Sequence, residues 1–343
     1  MPASPSVERG AATALRLAAS VLLTLFGLLL ATFLIARVVP IDPVLAVVGD
    51  RASAETYQRV RIELGLDQPL YVQFWRYVVL VLHGDFGRSV LTRNPVVEDI
   101  ARFLPATVEL ATAATLIGVA LGIPAGVVAA ARQGRWADHA IRLVGLVGYS
   151  VPVFWLGLMA LLLFYAGLGW AAGPGRLDIF YEDTVAPVTG LILVDSAIAG
   201  DWAVLRSALA HLVLPAGVLG YFSLAYVSRM TRSFMLEQLG QEYIVTARAK
   251  GLSERRVLWR HALGNILVPL VTVVALSYAS LLEGSVLTET VFAWPGIGSY
   301  ITGSLLNIDM NAVLGGTLVV GALFIALNLL SDLLYRWLDP RTR

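Results

Sequence analysis

Residues 242–261 read EYIVTARAKGLSERRVLWRH, a basic and polar stretch between two strongly apolar segments of the chain. Arg248 and Lys250, the only lysine, would lie in the last turn of a first helix, where the negative end of the helix dipole favours cations. Gly251 can adopt the left-handed conformation that ends a helix, and Ser253 is a good N-cap for a second one. The stretch therefore predicts two helices separated by a break.

The composition of the chain is typical of a membrane protein. Hydrophobic residues make up 57% of its 343 residues and charged residues only 14%, whereas a soluble domain has roughly 25% charged residues. The chain has no cysteine, and its four histidines (His83, His139, His211 and His261) lack metal-ligand spacing. We therefore predict an all-α membrane protein with no catalytic site, no metal site and no cofactor.

Windows without Asp, Glu, Lys or Arg locate the predicted spans, since a bilayer-crossing helix needs about 20 mostly apolar residues. Six windows qualify: 17–36, 110–131, 143–175, 207–228, 261–282 and 310–331. The third could be one long helix plus a loop or two short helices, and we interpret it as one span ending near Leu168. We interpret the first as a retained span, because it exceeds the roughly 7–15 apolar residues of a signal peptide. The run 184–194 is too short to span and is predicted to pack outside the membrane. The sequence thus predicts about six transmembrane helices.

The basic residues set the orientation of these spans. With a cytoplasmic N-terminus, 15 of the 25 basic residues lie inside and eight lie in the long 37–104 segment, whose length weakens its weight in the comparison. The other two outer loops carry only Arg176 and Arg206, both in 171–206, since the 283–309 loop carries none. The predicted organisation is a cytoplasmic N-terminus (1–16), a first transmembrane helix (17–39), an extracytoplasmic segment (40–104), a five-helix core (105–335) that includes the 171–206 outer loop and a cytoplasmic loop (229–262), and a cytoplasmic tail (336–343).

Small residues and prolines predict local features of the spans. Gly118, Gly122 and Gly126 share one helix face and favour close helix packing. Kinks are expected at the prolines inside the windows, either as ordinary structural bends or as a flexible wall around a pathway; these are Pro124, Pro152, Pro215 and Pro269. In the 40–104 segment, Ser53 is a predicted helix cap and Gly65 a break.

Missing motifs exclude several classes of protein. No Gly-x-x-x-x-Gly-Lys-Ser/Thr is present, because Ala249 precedes the only lysine, so the chain does not supply its own P-loop ATPase. Neither Gly-x-Ser-x-Gly nor His-Glu-x-x-His occurs. The predicted spans contain no Asp, Glu, Lys or Arg, whereas coupled carriers usually place ionisable groups in the membrane. Any energy for transport is therefore expected to come from another protein.

Three interpretations of residues 242–261 follow from the residues alone. A DNA-binding helix–turn–helix is disfavoured, because a loop between two spans leaves no room for a domain core. An amphipathic helix on anionic lipid fits the charge but does not account for the break at Gly251. A docking element for a cytoplasmic partner accounts for the break, the exposure and the missing ATPase together.

The same stretch resembles a known family. Ala247-x-x-x-Gly251 before Leu263-Gly264 resembles the cytoplasmic loop of ABC-importer permeases, and the longer pattern 242–265 resembles the dipeptide, oligopeptide and nickel branch. Val245-Thr246-Ala247 replaces the general Glu-Ala-Ala, and Gly264 replaces a proline, as is usual in that branch. Other stretches agree in order: Pro40-x-Asp42-Pro43, Glu63–Leu70, Gly84–Ser89, Pro105–Leu110 and Val291–Gly298.

The resemblance implies a type I importer permease, the first of two permease subunits, in the bacterial inner membrane. Its expected partners are a homologous second permease, two cytoplasmic ATP-binding subunits, an extracytoplasmic solute-binding protein and the lipid bilayer, with no nucleic acid. The 242–262 block would then be a coupling helix, in which Gly251 sets the turn and the basic side chains offer ionic contacts. The predicted ATPase-docking residues are Thr246, Ala247, Lys250, Gly251, Leu252, Ser253, Arg255 and Arg256.

Polar groups in otherwise apolar spans are the candidates for a translocation path between this chain and the second permease. They are Tyr149, Ser150, Ser277, Tyr278, Ser280 and Glu283, and hydrogen bonding between helices is an equally good explanation of each. Peptide import is the favoured function, nickel or another small solute is the alternative, and a channel or carrier acting alone is less favoured.

Overall fold

The computed structural model describes residues 5–38, 43–49, 52–63 and 65–338. Residues 1–4 of the predicted N-terminus, Pro40 and Asp42 of the Pro40–Pro43 motif, Leu64 and the cytoplasmic tail from 339 onward lie outside the described residues. Within the described ranges the chain forms helices and no strand, which confirms the all-α prediction.

The helices follow one another in chain order. They are α1 (Pro5–Val38), α2 (Pro43–Val48), α3 (Ala54–Glu63), α4 (Leu70–Leu82), α5 (Val96–Ala131), α6 (Trp136–Ser150), α7 (Val153–Ala160) with a π-helical continuation (Leu161–Gly167), a 3-10 turn (Ile179–Tyr181), α8 (Ile192–Ala199), α9 (Trp202–Leu239), α10 (Glu242–Ala249), α11 (Glu254–Arg256) with a π-helical continuation (Val257–Ala262), α12 (Leu263–Gly284), α13 (Val286–Val291), α14 (Ile297–Leu306) and α15 (Met310–Leu338).

Among the described residues, four helical stretches can cross a membrane by length and composition: Val96–Ala131, Trp202–Leu239, Glu254–Gly284 and Met310–Ser331. The pair Trp136–Ser150 and Val153–Gly167 adds a fifth if it counts as one span. Ala19–Ile35 in α1, within the predicted first window, is a shorter apolar helix in the described part of the chain. Each of the six predicted windows therefore overlaps an apolar helix, although fewer than six pass as spans by length.

The third window, predicted as one span with a kink at Pro152, is a strongly bent pair of helices. It breaks between α6 and α7, and the two segments meet at an angle of 103°. Val151 is extended, with φ −94° and ψ 127°, because the ring of Pro152 disfavours the helical conformation in the residue before it. The second segment ends at Gly167, close to the predicted end at Leu168.

The second predicted span begins earlier than the sequence indicated. Helix α5 starts at Val96, inside the predicted 40–104 segment, and Pro105 lies within it rather than at its start. Glu98 and Asp99 occupy its first turn, where acidic side chains suit the positive end of the helix dipole. Pro124, Pro215 and Pro269 also lie inside helices, as expected.

The chain divides into two compact units, the first of which comprises residues 1–100 and 300–325. A small aromatic and aliphatic core of Phe33, Phe74 and Val78 joins α1 and α4. The hydroxyl of Ser53 accepts a hydrogen bond from the Thr56 amide at 3.2 Å, so Ser53 caps α3 as predicted.

The second unit comprises residues 101–299 and 326–343 and is built around α9. The predicted glycine face of α5 packs directly on α9: a Cβ on Gly122 would lie 3.0 Å from Val227 Cβ, and one on Gly126 would lie 2.5 Å from Thr231 Cβ. The same added atom on Gly126 would lie 2.7 Å from the Ser228 carbonyl oxygen, which is part of the backbone. The close-packing prediction is therefore confirmed.

Gly126→Ala is expected to destabilise the protein, because the α9 backbone must shift to admit the methyl group. Overpacking of this kind typically costs about 1–3 kcal/mol. Gly217→Ala is the matched control, since Gly217 is also helical and has no atom within 4 Å of the added Cβ. Thermal unfolding in detergent should show a lower midpoint for Gly126→Ala alone. Equal midpoints for the two variants would contradict close packing at Gly126.

The 171–206 segment is a folded loop within this unit. Its Arg176 donates two hydrogen bonds to the buried Glu109 carboxyl, at 3.0 and 2.6 Å, and thereby ties the loop to α5. Asp195, also buried, accepts from the amides of Val188, Thr189 and Gly190. Burial opposes ionisation of this carboxyl, but the hydrogen bonds outweigh it and hold the pKa of Asp195 below its ordinary value.

Candidate functional site

The predicted break in residues 242–261 is a helix-terminating turn. Helix α10 ends at Ala249, and Gly251 follows with φ +76°, in the left-handed region. The amide of Gly251 bonds to the Arg248 carbonyl at 2.9 Å, and the amide of Leu252 bonds to the Ala247 carbonyl at 3.3 Å. This pair of bonds is the Schellman arrangement, in which a residue without a Cβ is preferred at the left-handed position.

The second helix starts where the sequence predicted, at Glu254 after Ser253. The Ser253 side chain makes no capping hydrogen bond; its carbonyl accepts from the Arg256 amide instead. An ion pair between Arg248 and Glu254, 2.7 Å from Nε to Oε1, bridges the two helices across the turn. The turn is therefore fixed by backbone and side-chain bonds on both sides.

One face of this two-helix segment packs on the ends of three long helices. Ile244, Ala247 and Val257 are buried in a core with residues of α5, α9 and α12, which are Val127, Ala130, Met235, Ile266 and Leu270. Among the predicted docking residues, Ala247 thus lies in this core and Leu252 packs against it. The other predicted docking residues are exposed: Thr246, Lys250, Gly251, Ser253, Arg255 and Arg256.

A cavity of about 470 Å³ lies against α6, α9 and α12. Its walls include the break at Val151–Pro152 and polar side chains on each helix, among them Tyr149, Ser223 and Ser277. Ser223 and Ser277 lie 3.0 Å apart, Oγ to Oγ, and join α9 to α12 by a hydrogen bond. Ser280 and Tyr226 add two more hydroxyl groups, and the other lining residues are apolar.

The six predicted path residues divide into two groups. Tyr149, Ser277 and Ser280 line the cavity. Ser150 donates to the Leu146 carbonyl within its own helix at 2.9 Å, and the Tyr278 hydroxyl lies 3.3 Å from that of Thr112. Glu283 is exposed and is not among the lining residues. The structure thus brings together one half of the predicted set.

A second cavity, of about 590 Å³, adjoins the first at Tyr149 and Ala225 and extends between α6 and α9. Arg232 on its wall is neutralised by the buried Asp138, which accepts from Nε at 2.6 Å and from Nη2 at 2.8 Å. Arg229 stacks over Tyr149, with 4.6 Å between the guanidinium carbon and the ring centroid. We call the two adjoining cavities the groove.

A buried carboxyl group organises the opposite end of α12. Glu289 has no exposed surface, and its carboxyl oxygens accept from Thr107 Oγ1 at 2.6 Å, Ser285 Oγ at 2.8 Å and the Ser299 amide at 2.9 Å. Trp294, equally buried, donates from Nε1 to the Ala106 carbonyl at 2.8 Å. Together these bonds hold residues 285–299 against α5.

Sequence reasoning did not single out Arg229, Asp138 or Glu289. Each lies just outside a charge-free window, where a charged residue is ordinarily expected to face water. For Glu289 a signal existed, since the residues that follow it include Trp294 and several glycines that predict tight local packing. For Arg229 and Asp138 the pairing of residues far apart in the chain had no local signature.

Two family models match the chain. The model described as binding-protein-dependent transport system inner membrane component matches residues 122–343, and that for the N-terminal part of such components matches residues 13–111.

Curated relatives match along most of the chain. The probable D,D-dipeptide transport system permease of Escherichia coli K12 is 46% identical, over 93% of this chain and 94% of its own length. The di/tripeptide transport system permease of Pseudomonas aeruginosa is 43% identical, over 93% of this chain and 95% of its own length. A chain of the inward-facing MetNI methionine ABC transporter matches with a TM-score of 0.51 and 17% identity, over 70% of this chain and 96% of that one, which shows a shared fold.

Proposed function

Because the chain belongs to the family of binding-protein-dependent transport system inner membrane components, we propose that it is a permease subunit of an ATP-driven importer of di- or oligopeptides. It is a multi-pass protein of the inner membrane. The peptide cargo is supported by the relatives, whose names describe dipeptide and di/tripeptide permeases and whose matches cover nearly the whole chain.

The observation that carries the proposal is the way residues 242–262 are built into the bundle. Their buried face packs on α5, α9 and α12, and the second helix continues directly into α12. Their exposed face presents Lys250, Arg255 and Arg256. A protein that binds this exposed face can move the ends of α5, α9 and α12, because the close-packed core between residues 242–262 and these helices transmits a displacement.

The partners follow from this arrangement and from the missing P-loop. Two ATP-binding subunits supply the energy; one of them docks on the exposed face of 242–262 on the cytoplasmic side. A homologous permease closes the groove from the open side, and a solute-binding protein delivers the cargo from outside. ATP-driven closure of the nucleotide sites then tilts α9 and α12 and opens the groove alternately to the two sides of the membrane.

Two other functions remain to be tested against this one. Nickel or another small solute is the alternative cargo for the same architecture. A channel or carrier acting alone is the alternative mechanism, and it is opposed by the docking segment and by the charge-free predicted spans.

The proposal predicts that this chain co-purifies with ATP-binding subunits and forms a transport complex. In proteoliposomes, the cognate binding protein loaded with a dipeptide should raise ATP hydrolysis by at least about threefold over the unloaded protein and drive labelled dipeptide inward. The same binding protein incubated with Ni²⁺ is the control. Stimulation by Ni²⁺ alone would assign the alternative cargo, and transport without ATP-binding subunits would contradict the proposed mechanism.

A further inference from the structure

The section of the groove between α6 and α9 carries an uncompensated positive charge. None of the described residues that line this section is acidic. Four of them are basic side chains: His139, Arg142, Arg229 and Arg232. Arg232 is neutralised by Asp138, which is only 1% exposed. Arg142 and Arg229 form no ion pair with a described residue within 4.0 Å. The first cavity, by contrast, has no charged side chain in its described lining.

Arg229 is held in place on the groove wall rather than extended freely into water. Its guanidinium carbon lies 4.6 Å from the centroid of the Tyr149 ring and 5.9 Å from that of Tyr226. Its Nη2 donates to the Tyr149 hydroxyl at 3.2 Å. Stacking on aromatic rings orients a guanidinium and leaves its other N–H groups available to a planar acceptor.

Arg229 lies on the path that a solute would take from the first cavity along the groove towards the cytoplasm. Tyr149 lines both cavities, so a solute that leaves the first cavity along the groove meets Tyr149 and then Arg229. Arg229 lies in α9 ten residues before Leu239, or about 15 Å along the helix axis. It therefore lies towards the end of the bundle that carries the docking segment 242–262, which is the predicted cytoplasmic side.

We propose that Arg229, held by Tyr149, is a subsite for a carboxylate of the transported solute on its way to the cytoplasm. A guanidinium fork matches a carboxylate in a bidentate geometry, and the charge assists the hydrogen bonds. The same charge repels a bare divalent cation, because an arginine in a pore selects for anionic groups. The inference rests on the proposed function and deepens it: the cargo carries a carboxylate, as a peptide does at its C-terminus.

The affinity of this subsite for a carboxylate is expected to be low, as transport requires. Arg229 is an exposed side chain on the groove wall, so water in the groove screens a bound carboxylate and lets it leave. Conduction needs binding that is favourable enough to enter and weak enough to release. Arg229→Lys should keep part of the attraction, since the charge stays but the planar fork is lost.

Cysteine labelling tests the subsite directly, since the chain contains no native cysteine. Ser233→Cys places a thiol on the exposed groove lining, one helical turn from Arg229. In the assembled complex in zwitterionic nanodiscs, its reaction with anionic methanethiosulfonate ethylsulfonate should exceed that with the cationic ethyltrimethylammonium reagent by about fivefold, after normalisation to a free thiol. Adding Arg229→Gln should bring the ratio close to one. Ala186→Cys, exposed in the outer loop, is the control and should not respond.

Competition then identifies the ligand. Millimolar alanyl-alanine should slow the anionic labelling of Ser233→Cys by about threefold through occupancy of Arg229, and Arg229→Gln should abolish this protection. Alanyl-alaninamide, which lacks the carboxylate, should not protect. Equal protection by both peptides, or protection that survives Arg229→Gln, overturns the proposal. Protection by anionic phosphatidylglycerol but not by the dipeptide also overturns it and assigns Arg229 to lipid headgroups.

The labelling needs neither ATP nor a binding protein, so its outcome is separable from the proposed function. In transport, Arg229→Gln should lower the dipeptide carried per ATP by about tenfold while the complex stays assembled, and Arg135→Gln, an exposed arginine that does not line the groove, should have no effect. A wild-type complex that moves no dipeptide refutes the proposed function. A wild-type complex that moves dipeptide, with Arg229→Gln indistinguishable from it, refutes the subsite.

Discussion

Gly251→Val should separate the ATP-binding subunits from this chain while leaving membrane insertion intact. Gly251 has φ +76°, and nothing lies within 4 Å of an added Cβ, so the obstacle is backbone conformation and not space. A left-handed conformation costs an L-residue about 1–2 kcal/mol, and a β-branched residue more. The turn is expected to relax away from this conformation, which breaks the bonds from Gly251 and Leu252 and reorients α10 against α11.

The measurement is the amount of ATP-binding subunit that remains with the purified chain, with a loss of about tenfold or more expected for a shift of 1.4 kcal/mol. Gly251→Asn is the first control, because asparagine tolerates the left-handed region. Gly264→Val is the second, since Gly264 is helical and an added Cβ there meets nothing within 4 Å. Both should retain the subunits. If Gly251→Val retains the ATP-binding subunits at the wild-type level, the proposed docking role of this turn is contradicted.

Glu289→Ala should unfold the segment 285–299 or prevent its assembly. The substitution leaves the hydroxyls of Thr107 and Ser285 and the amide of Ser299 without their acceptor in a fully buried site. Each orphaned buried donor costs about 1–3 kcal/mol, so three together are large against a typical total stability of about 5–15 kcal/mol. The Trp294 side chain in the same segment provides a fluorescence probe of unfolding.

Glu289→Gln should be intermediate, because the amide keeps one acceptor oxygen but turns the other position into a donor. Glu182→Ala, an exposed glutamate of the outer loop, is the matched control and should leave the unfolding midpoint unchanged. The role assigned to Glu289 fails if Glu289→Ala melts at the same temperature as Glu182→Ala.

Local sequence signals predicted several features of the fold well, and they share a physical cause. The break at Gly251, the cap at Ser53 and the glycine face at Gly122 and Gly126 each depend on the backbone conformation or size of the residues named. Such properties are local, so the sequence carries them directly. The docking role of the exposed residues in 242–262 stays a prediction.

The features that the sequence did not specify depend on a neighbouring residue or on a distant contact. A kink was expected at Pro152, but charge-free windows could not give the size of the bend, 103°, or the extended backbone of Val151 before the proline. Helix α5 extends back to Val96 past Pro105, whereas the charge-free window begins at 110 and the motif beginning at Pro105 was expected to open the span. Of the proposed path residues, Ser150 and Tyr278 bond to Leu146 and Thr112 and do not line the cavity, and their place on a path between two permeases stays a prediction.

The sequence by itself determined the class of the protein, the positions of its apolar helices and the break at Gly251, because hydropathy, glycine and capping act over a few residues. Only the tertiary structure decided which arginines are paired with a carboxylate and which can bind a ligand. Asp138 neutralises Arg232 across 94 positions of chain, while Arg229 on the same helix is held by Tyr149 with no acidic partner among the described residues. An arginine has a structural role where the fold places a carboxylate beside it, and it can bind a ligand where the fold places none.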